Sequence, residues 1–280
     1  VRQLVNFNAS TVTVFDNAEA SMFHLEQEIS RSNPNSHIKY VIGDVRDKYR
    51  LEEVFDSFKP NIVFHAAAYK HVPMMEANPV EAIKTNVLGT MNVSNISYMN
   101  EVEKFVMVST DKAVNPTNVM GATKRIAELY TQFLETKSAT KFIVTRFGNV
   151  LGSSGSVLRI FEQQLSNNNP LTVTDRKATR YFMTILEACY LVLSITSIKI
   201  KNKTFVLNMG KPINIYELSK KLSQLKKNVD DTYNFRYVET GLKKNEKLHE
   251  ILFNKNEKLR KINKNIFYTS RNIFDNEKFT

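Results

Sequence analysis

The chain has 280 residues, 42% of them hydrophobic, and no run approaches 18 consecutive apolar residues, so it can bury a large core and shows no membrane-spanning segment. Its single cysteine, Cys189, excludes an internal disulfide and a cysteine-based zinc site, which fits a cytoplasmic setting. The net charge of +11 is concentrated late: residues 197–280 hold 19 Lys and Arg against 9 Asp and Glu, whereas residues 1–196 nearly balance. That excess is mostly Lys mixed with Asn, without interleaved aromatics, so a solvated surface with a few anion contacts is expected and nucleic acid is not.

The N-terminal residues read as the end of a helix, with no apolar stretch of signal-peptide type. Residues 11–15 form a β-type run ending in Asp16, and residues 18–30 a helix. Residues 38–42 are a second strand, ending before Gly43 and Asp44, and residues 48–58 an amphipathic helix. Residues 61–65 are a buried strand, residues 76–99 mostly helical, and residues 104–109 another strand. Residues 118–136 are a helix and residues 142–146 a strand. Strands alternating with helices imply a doubly wound parallel sheet of Rossmann type. Beyond Gly148 the pattern is less regular: a loop at 152–156, a helix at 157–165, short strands at 171–173 and 204–208, and a helix at 215–225. Residues 1–150 are therefore expected to form a dinucleotide-binding domain. Residues 151–280 should form a smaller substrate lobe with returns to the sheet. Cys189 lies in an apolar helical run and is expected in the core, and the last twenty or so residues are expected to fray.

Ligands in open α/β sheets bind beyond the carboxyl ends of the strands. The apolar run ending at Val108 delivers Ser109, Thr110, Asp111 and Lys112 to such an end, and the next helix adds Lys124. The alternative for Asp111-Lys112 alone is a solvated turn. Asp16 is placed to bond an adenosine ribose, which favours NAD over NADP, or else to cap the following helix. Asp44 and Val45 are candidates for the adenine pocket, and Ala66, Ala67 and Ala68 let backbone approach a cofactor. The glycine-rich turn that should precede Asp16 is missing from the sequence. The chain is thus expected to start downstream of the first strand and its phosphate loop, leaving the sheet without its central strand.

Several longer segments carry a resemblance. They are His65-Ala-Ala-Ala-Tyr-Lys-His-Val-Pro-Met-Met-Glu76, Lys84-Thr-Asn-Val-Leu-Gly-Thr90, Ser109-Thr-Asp-Lys112, Gly121-Ala-Thr-Lys124, Arg146-Phe-Gly-Asn-Val-Leu-Gly-Ser-Ser-Gly-Ser156 and Thr179-Arg-Tyr-Phe-Met-Thr184. Together they resemble the CapD-like UDP-N-acetylglucosamine 4,6-dehydratases of polysaccharide biosynthesis, which are extended short-chain dehydrogenases/reductases. The resemblance implies an NAD-dependent lyase that makes a UDP-4-keto-6-deoxy sugar for capsule, O-antigen or glycan synthesis. It also implies a cytoplasmic location, at the face of the inner membrane where a longer form carries N-terminal membrane helices. A homo-oligomer is compatible with it.

The resemblance assigns Thr110, Asp111 and Lys112 to a catalytic triplet. It assigns Lys124 to the cofactor ribose, and Met120 to the position where relatives carry Tyr. Asn86, Ser109 and Phe147 join the cofactor set. Lys70, His71, Asn149, Ser153, Arg180 and Lys243 form the expected substrate set. Lys243 stands where relatives usually carry Arg; Arg159, Arg176 and Leu186 stand where they usually carry Pro.

The implied reaction is redox-neutral: oxidation at C4, proton loss at C5, departure of the C6 hydroxyl and reduction at C6. Lys112, with its pKa lowered, is expected as the C5 base, and a protonated Asp111 as the acid for the C6 hydroxyl. A thioether carries no proton, so Met120 cannot act as the C4 base. Thr110 can orient the C4 hydroxyl, and Asp111 or water can take its proton. No metal is implied, and no His, Asp or Glu cluster has metal-ligand spacing. The alternatives are a nucleotide-sugar epimerase or reductase, and a non-catalytic fragment unable to bind NAD.

Overall fold

The computed structural model describes residues 1–200 and 203–270. The chain opens with α1 (Arg2–Asn6), β1 (Val12–Asp16), α2 (Glu19–Ser32), β2 (Ile38–Ile42), α3 (Lys48–Phe58) and β3 (Ile62–His65). Then come α4 (Val72–Ala77), α5 (Pro79–Ala82), a π-helical stretch (Ile83–Gly89), α6 (Thr90–Met99), β4 (Lys104–Val108), α7 (Val119–Glu135) and β5 (Lys141–Arg146). The second part holds β6 (Asn149–Val150), α8 (Val157–Ser166), β7 (Leu171–Val173), β8 (Thr179–Arg180), β9 (Phe182–Met183) and α9 (Ile185–Ile195). It ends with β10 (Lys203–Leu207), β11 (Ile213–Asn214), α10 (Ile215–Val229), β12 (Tyr237–Glu239), β13 (Leu259–Lys261) and β14 (Ile266–Ser270).

Six strands make one sheet in the order β13-β14-β10-β5-β4-β3, parallel except where β14 joins antiparallel to both its neighbours. β1 and β2 form a separate parallel pair, with Val12 opposite Ile38 and Asp16 opposite Ile42. Among the described residues no strand pairing joins the β1–β2 pair to the six-stranded sheet.

β4 shows why the sheet is wound on both sides. Its side chains alternate, and Phe105, Val106 and Met107 are all fully buried. Phe105 and Met107 pack with Leu51, Phe55, Val93, Ile96 and Ala127 from α3, α6 and α7. Val106 packs the opposite way, with Leu191, Val192, Ile195 and Phe205. A separate cluster built on Phe161, Leu171, Val173, Phe182, Ile215 and Tyr233 is the core of the second lobe.

The structure corrects one core expectation. Cys189 is exposed. α9 buries Ala188, Leu191, Val192 and Ile195, a stripe at helical spacing that turns Cys189 outward. The helix is apolar nearly all round, so its sequence does not reveal which face is inward. Of the final residues, 266–270 form β14 and are paired in the sheet rather than frayed; residues 271–280 lie outside the described residues.

Candidate active site

The site is built where β4 and β5 end. Beyond β4, Ser109 N–H donates to Thr145 O and Asp111 N–H to Phe147 O, so the loop continues alongside the neighbouring strand. Thr110 then caps a single 3-10 turn, Asp111–Ala113, by accepting from the Lys112 N–H at 3.3 Å. The Thr110 hydroxyl donates to Asp111 Oδ1 at 2.9 Å. Lys112 Nζ donates to the same oxygen at 3.0 Å and to Asn149 Oδ1 at 3.4 Å. The two neighbours of Asp111 therefore converge on its carboxylate, and Asn149 of β6 adds a second acceptor for Lys112. Gly121 makes this packing possible: a Cβ there would lie 2.3 Å from the Lys112 carbonyl oxygen.

Asp111 is fully buried and its Oδ2 has no hydrogen-bond partner. Burial works to lower the pKa of the Lys112 ammonium, but the carboxylates of Asp111 and Glu250 outweigh it and hold the group above the ordinary lysine value. This corrects the expectation of a lowered Lys112: on its own, the site keeps the lysine charged. The missed partner is Glu250, whose Oε1 lies 3.7 Å from Nζ. Nothing in the local sequence marks it, because the pairing joins two segments distant along the chain.

Lys124 sits one turn after Met120 on α7, and both are buried. Lys124 Nζ donates to Val108 O at 2.6 Å, and burial lowers its pKa to about 8. Met120 packs with Met75 and Ala82, with Val72 and Val119 beside them. Asn86 lies in the π-helical stretch, a distortion often found at functional sites. Its amide accepts from Tyr69 N–H at 2.8 Å, and donates to Tyr69 O and Thr123 Oγ1 at 3.0 Å each. It thereby ties the loop after β3 to α7. The Ser109 hydroxyl is engaged by buried Glu128 at 2.7 Å.

The remaining cofactor candidates follow the strand ends. Asp16 Oδ1 accepts from Ala18 N–H at 2.9 Å, a local turn on an exposed carboxylate. Asp44 is bonded by Arg46 and Asn17, and the Arg46 guanidinium chiefly lowers its pKa to about 2. Val45 is buried against Gly89. Ala66 and Ala67 are exposed past the end of β3, Ala68 is half-buried, and Phe147 packs at the edge of the core.

Of the residues expected to bind substrate, Lys70 Nζ reaches Ser153 Oγ at 3.4 Å. The His71 ring rests on Gly155, which has φ +66°, and where a Cβ would lie 2.4 Å from Cε1. Arg180 is held by Glu246 at 2.7 Å and by the carbonyls of Thr179 and Leu248. Lys243 is exposed, and its backbone N–H donates to Glu246. Its segment docks on the site from behind: Glu76 receives both the Val119 N–H and the Asn245 amide, and Lys247 donates to Val114 O.

The chain matches the family model described as "Polysaccharide biosynthesis protein" over residues 1–272. It belongs to that family. It is 48% identical to the capsular polysaccharide biosynthesis protein CapD of Staphylococcus aureus, over 91% of this chain and 43% of the relative, so it spans less than half of that protein's length. It is 34% identical to a UDP-N-acetylglucosamine 4,6-dehydratase (inverting) of Campylobacter jejuni, over 91% of this chain and 72% of the relative. The X-ray structure of Pen from Bacillus thuringiensis superposes with a TM-score of 0.85 at 36% identity, covering 93% of this chain and 80% of that one. Among the described residues no helix is long and apolar enough to cross a membrane, and no group of His, Cys, Asp and Glu is arranged to hold a metal ion.

Proposed function

We propose that this chain is the catalytic region of an NAD-dependent nucleotide-sugar 4,6-dehydratase acting on UDP-N-acetylglucosamine or a similar UDP-hexosamine. The observation that carries this reading is the Thr110-Asp111-Lys112 cluster with Asn149 against its ammonium. An acid and a potential base side by side are what a β-elimination next to a ketone needs. The 34% identical Campylobacter jejuni dehydratase supports the same class. The epimerase reading is disfavoured: Met120 is buried where a phenol would be wanted, and the Asp111–Lys112 pair would have no task.

The strand ends fit a dinucleotide. Asp16 is an exposed carboxylate suited to ribose hydroxyls and hostile to a 2′-phosphate. Exposed Ala66 and Ala67 offer backbone without bulk, and Lys124 presents a buried amine at the end of β4. When bound, the dinucleotide supplies a reversible hydride acceptor. In this reading Thr110 orients the sugar hydroxyl, Asp111 holds the proton for the departing C6 oxygen, and Lys112 removes the C5 proton. Lys70, His71, Ser153, Arg180 and Lys243 form the sugar and diphosphate side. Residues 1–150 hold the cofactor and residues 151–280 chiefly the substrate. The exposed thiol of Cys189 suits the reducing cytoplasm.

The test is incubation of the full-length protein with UDP-N-acetylglucosamine and NAD, followed by mass spectrometry and NMR of the product. A 4-keto-6-deoxy sugar with net loss of water is expected. A C4 epimer that retains its C6 hydroxyl would replace this reading with the epimerase one.

A further inference from the structure

Lys112 stands between two carboxylates. Asp111 Oδ1 lies 3.0 Å from its nitrogen and Glu250 Oε1 3.7 Å. Glu250 belongs to the segment after α10 and β12, and it is buried. Its Oε2 has no hydrogen-bond partner, a condition it shares with Asp111 Oδ2. Two other cations face it, and both are engaged. Lys247 lies 3.9 Å from Oε2 but donates to Val114 O, and Arg180 is paired with Glu246.

A buried carboxylate with an orphan oxygen is a poor structural anchor, since the unmet acceptor costs stability. It is better suited to receive a proton. Burial and the negative charge of Asp111 raise the Glu250 pKa, opposed by Lys112, Lys247 and Arg180. The lysine beside it must lose a proton before it can take one from carbon.

We propose that Glu250 is the positioning residue of Lys112, holding its ammonium in the resting site and accepting a proton from it when a substrate covers the cleft. This rests on the dehydratase reading and deepens it. The step is balanced within the protein. One N–H bond of Lys112 breaks, its electron pair stays on nitrogen, and an O–H bond forms on Glu250. The amine then takes the C5 proton, and the carbon's electron pair moves toward the C4 carbonyl. A bound sugar drives the transfer by removing water, which disfavours the two charged partners together. The flexible lysine stem closes the 3.7 Å ion-pair separation to hydrogen-bond length.

The test compares full-length wild type, Glu250→Gln and Glu250→Asp with two readouts. The first needs no substrate: the pH dependence of Lys112 acylation by acetic anhydride, quantified by mass spectrometry. Removing the charge in Glu250→Gln should move the Lys112 profile down by about one pH unit, while Glu250→Asp should stay near wild type. The second readout is C5 hydrogen exchange in D₂O with UDP-N-acetylglucosamine and NAD. Wild type and Glu250→Asp should exchange nearly independently of pH between 7 and 9 (roughly the window in which the buried base is supplied internally). Glu250→Gln should exchange about 10²-fold more slowly at neutral pH and recover as pH rises, because solvent must then take the Lys112 proton. An unmoved acylation profile overturns the proposal, as does exchange in Glu250→Gln that is unchanged or uniformly depressed at every pH. If wild type exchanges nothing while the acylation profile moves as expected, the dehydratase reading falls and the Lys112–Glu250 pairing stands.

Discussion

Arg146 and Glu128 meet inside the protein, with Nη2 2.7 Å from Oε2 and neither side chain more than 1% exposed. Arg146 ends β5 and Glu128 lies mid-way along α7, so the pair joins strand to helix beside the loop that begins at Ser109. Glu128 also accepts from Ser109, and Arg146 reaches on to Glu257 at 3.0 Å. One buried network thus ties the end of β4, α7, β5 and the C-terminal segment together. Burial pushes the Glu128 pKa up, but Arg146, Arg125 and Ser109 together hold it below its ordinary value.

Removing the Glu128 charge takes two charge-assisted bonds from the buried Arg146, which keeps only Glu257 as a partner, and one from Arg125. Glu128→Gln should therefore cost about 3–5 kcal/mol of folding stability, read by chemical denaturation at neutral pH. The double variant Glu128→Gln/Arg146→Met should recover part of the loss, because the charges it leaves without these partners, Arg125 and Glu257, are more exposed than the two removed. A single variant within about 0.5 kcal/mol of wild type would show that the pair is not structural.

His65 gives the protein a pH-dependent stability term. Its ring bonds Thr90 at 2.8 Å and stacks on Phe105, and burial, aided by Lys124, lowers its pKa from 6.5 to about 3. Between those values the unfolded chain carries the extra proton. The contribution is therefore complete above pH 6.5 and is lost as pH falls toward 3. Wild type should lose about 2 kcal/mol between pH 7 and pH 5 through this group, and His65→Gln should lack that part of the slope. Parallel urea denaturation of the two proteins at several pH values measures it; identical slopes would refute the assignment.

Gly121 is a third test, of geometry rather than charge. In Gly121→Ala the new Cβ meets the Lys112 carbonyl, and a backbone atom cannot rotate away. The first turn of α7 and the 3-10 turn must separate, at a cost of about 1–3 kcal/mol. The melting temperature should fall, and Lys112 should become more reactive toward acylation as its hold on Asp111 and Asn149 loosens. A variant with wild-type stability and wild-type Lys112 reactivity would show that the close approach is not required.

What the sequence revealed about this site follows from range. The run from Val106 to Lys112 is legible because an uninterrupted apolar strand and its polar exit lie within a few residues, and Lys124 follows from helical spacing. The Cys189 orientation is not legible, since α9 offers apolar residues on nearly every face. Nor is the charge of Lys112. Its neighbour Asp111 does most to hold it, but the rest comes from Glu250, which is brought alongside by the docking of the C-terminal segment on Glu76, Val114 and Asn115. Local pattern locates the chemistry and its nearest charge, and burial and long-range packing supply the rest of what sets its protonation.

The division of labour between Asp111 and Lys112 is the most direct test of the proposed reaction. Both touch the same place, since Lys112 Nζ is bonded to Asp111 Oδ1, yet they would serve different steps. In full-length protein with NAD and UDP-N-acetylglucosamine, Lys112→Ala should suppress C5 exchange with D₂O and formation of the 4-keto-6-deoxy product. Losing a general base costs about 10²–10⁴-fold. Binding of the dinucleotide, followed by calorimetry, should persist because Lys124 and the strand ends are untouched. Asp111→Asn should behave differently. The amide cannot give up a full proton to the C6 oxygen, so C5 exchange should continue while the C6 hydroxyl is retained. The two variants therefore separate proton removal from leaving-group departure. Wild-type rates in both would reject the mechanism while leaving the fold assignment intact.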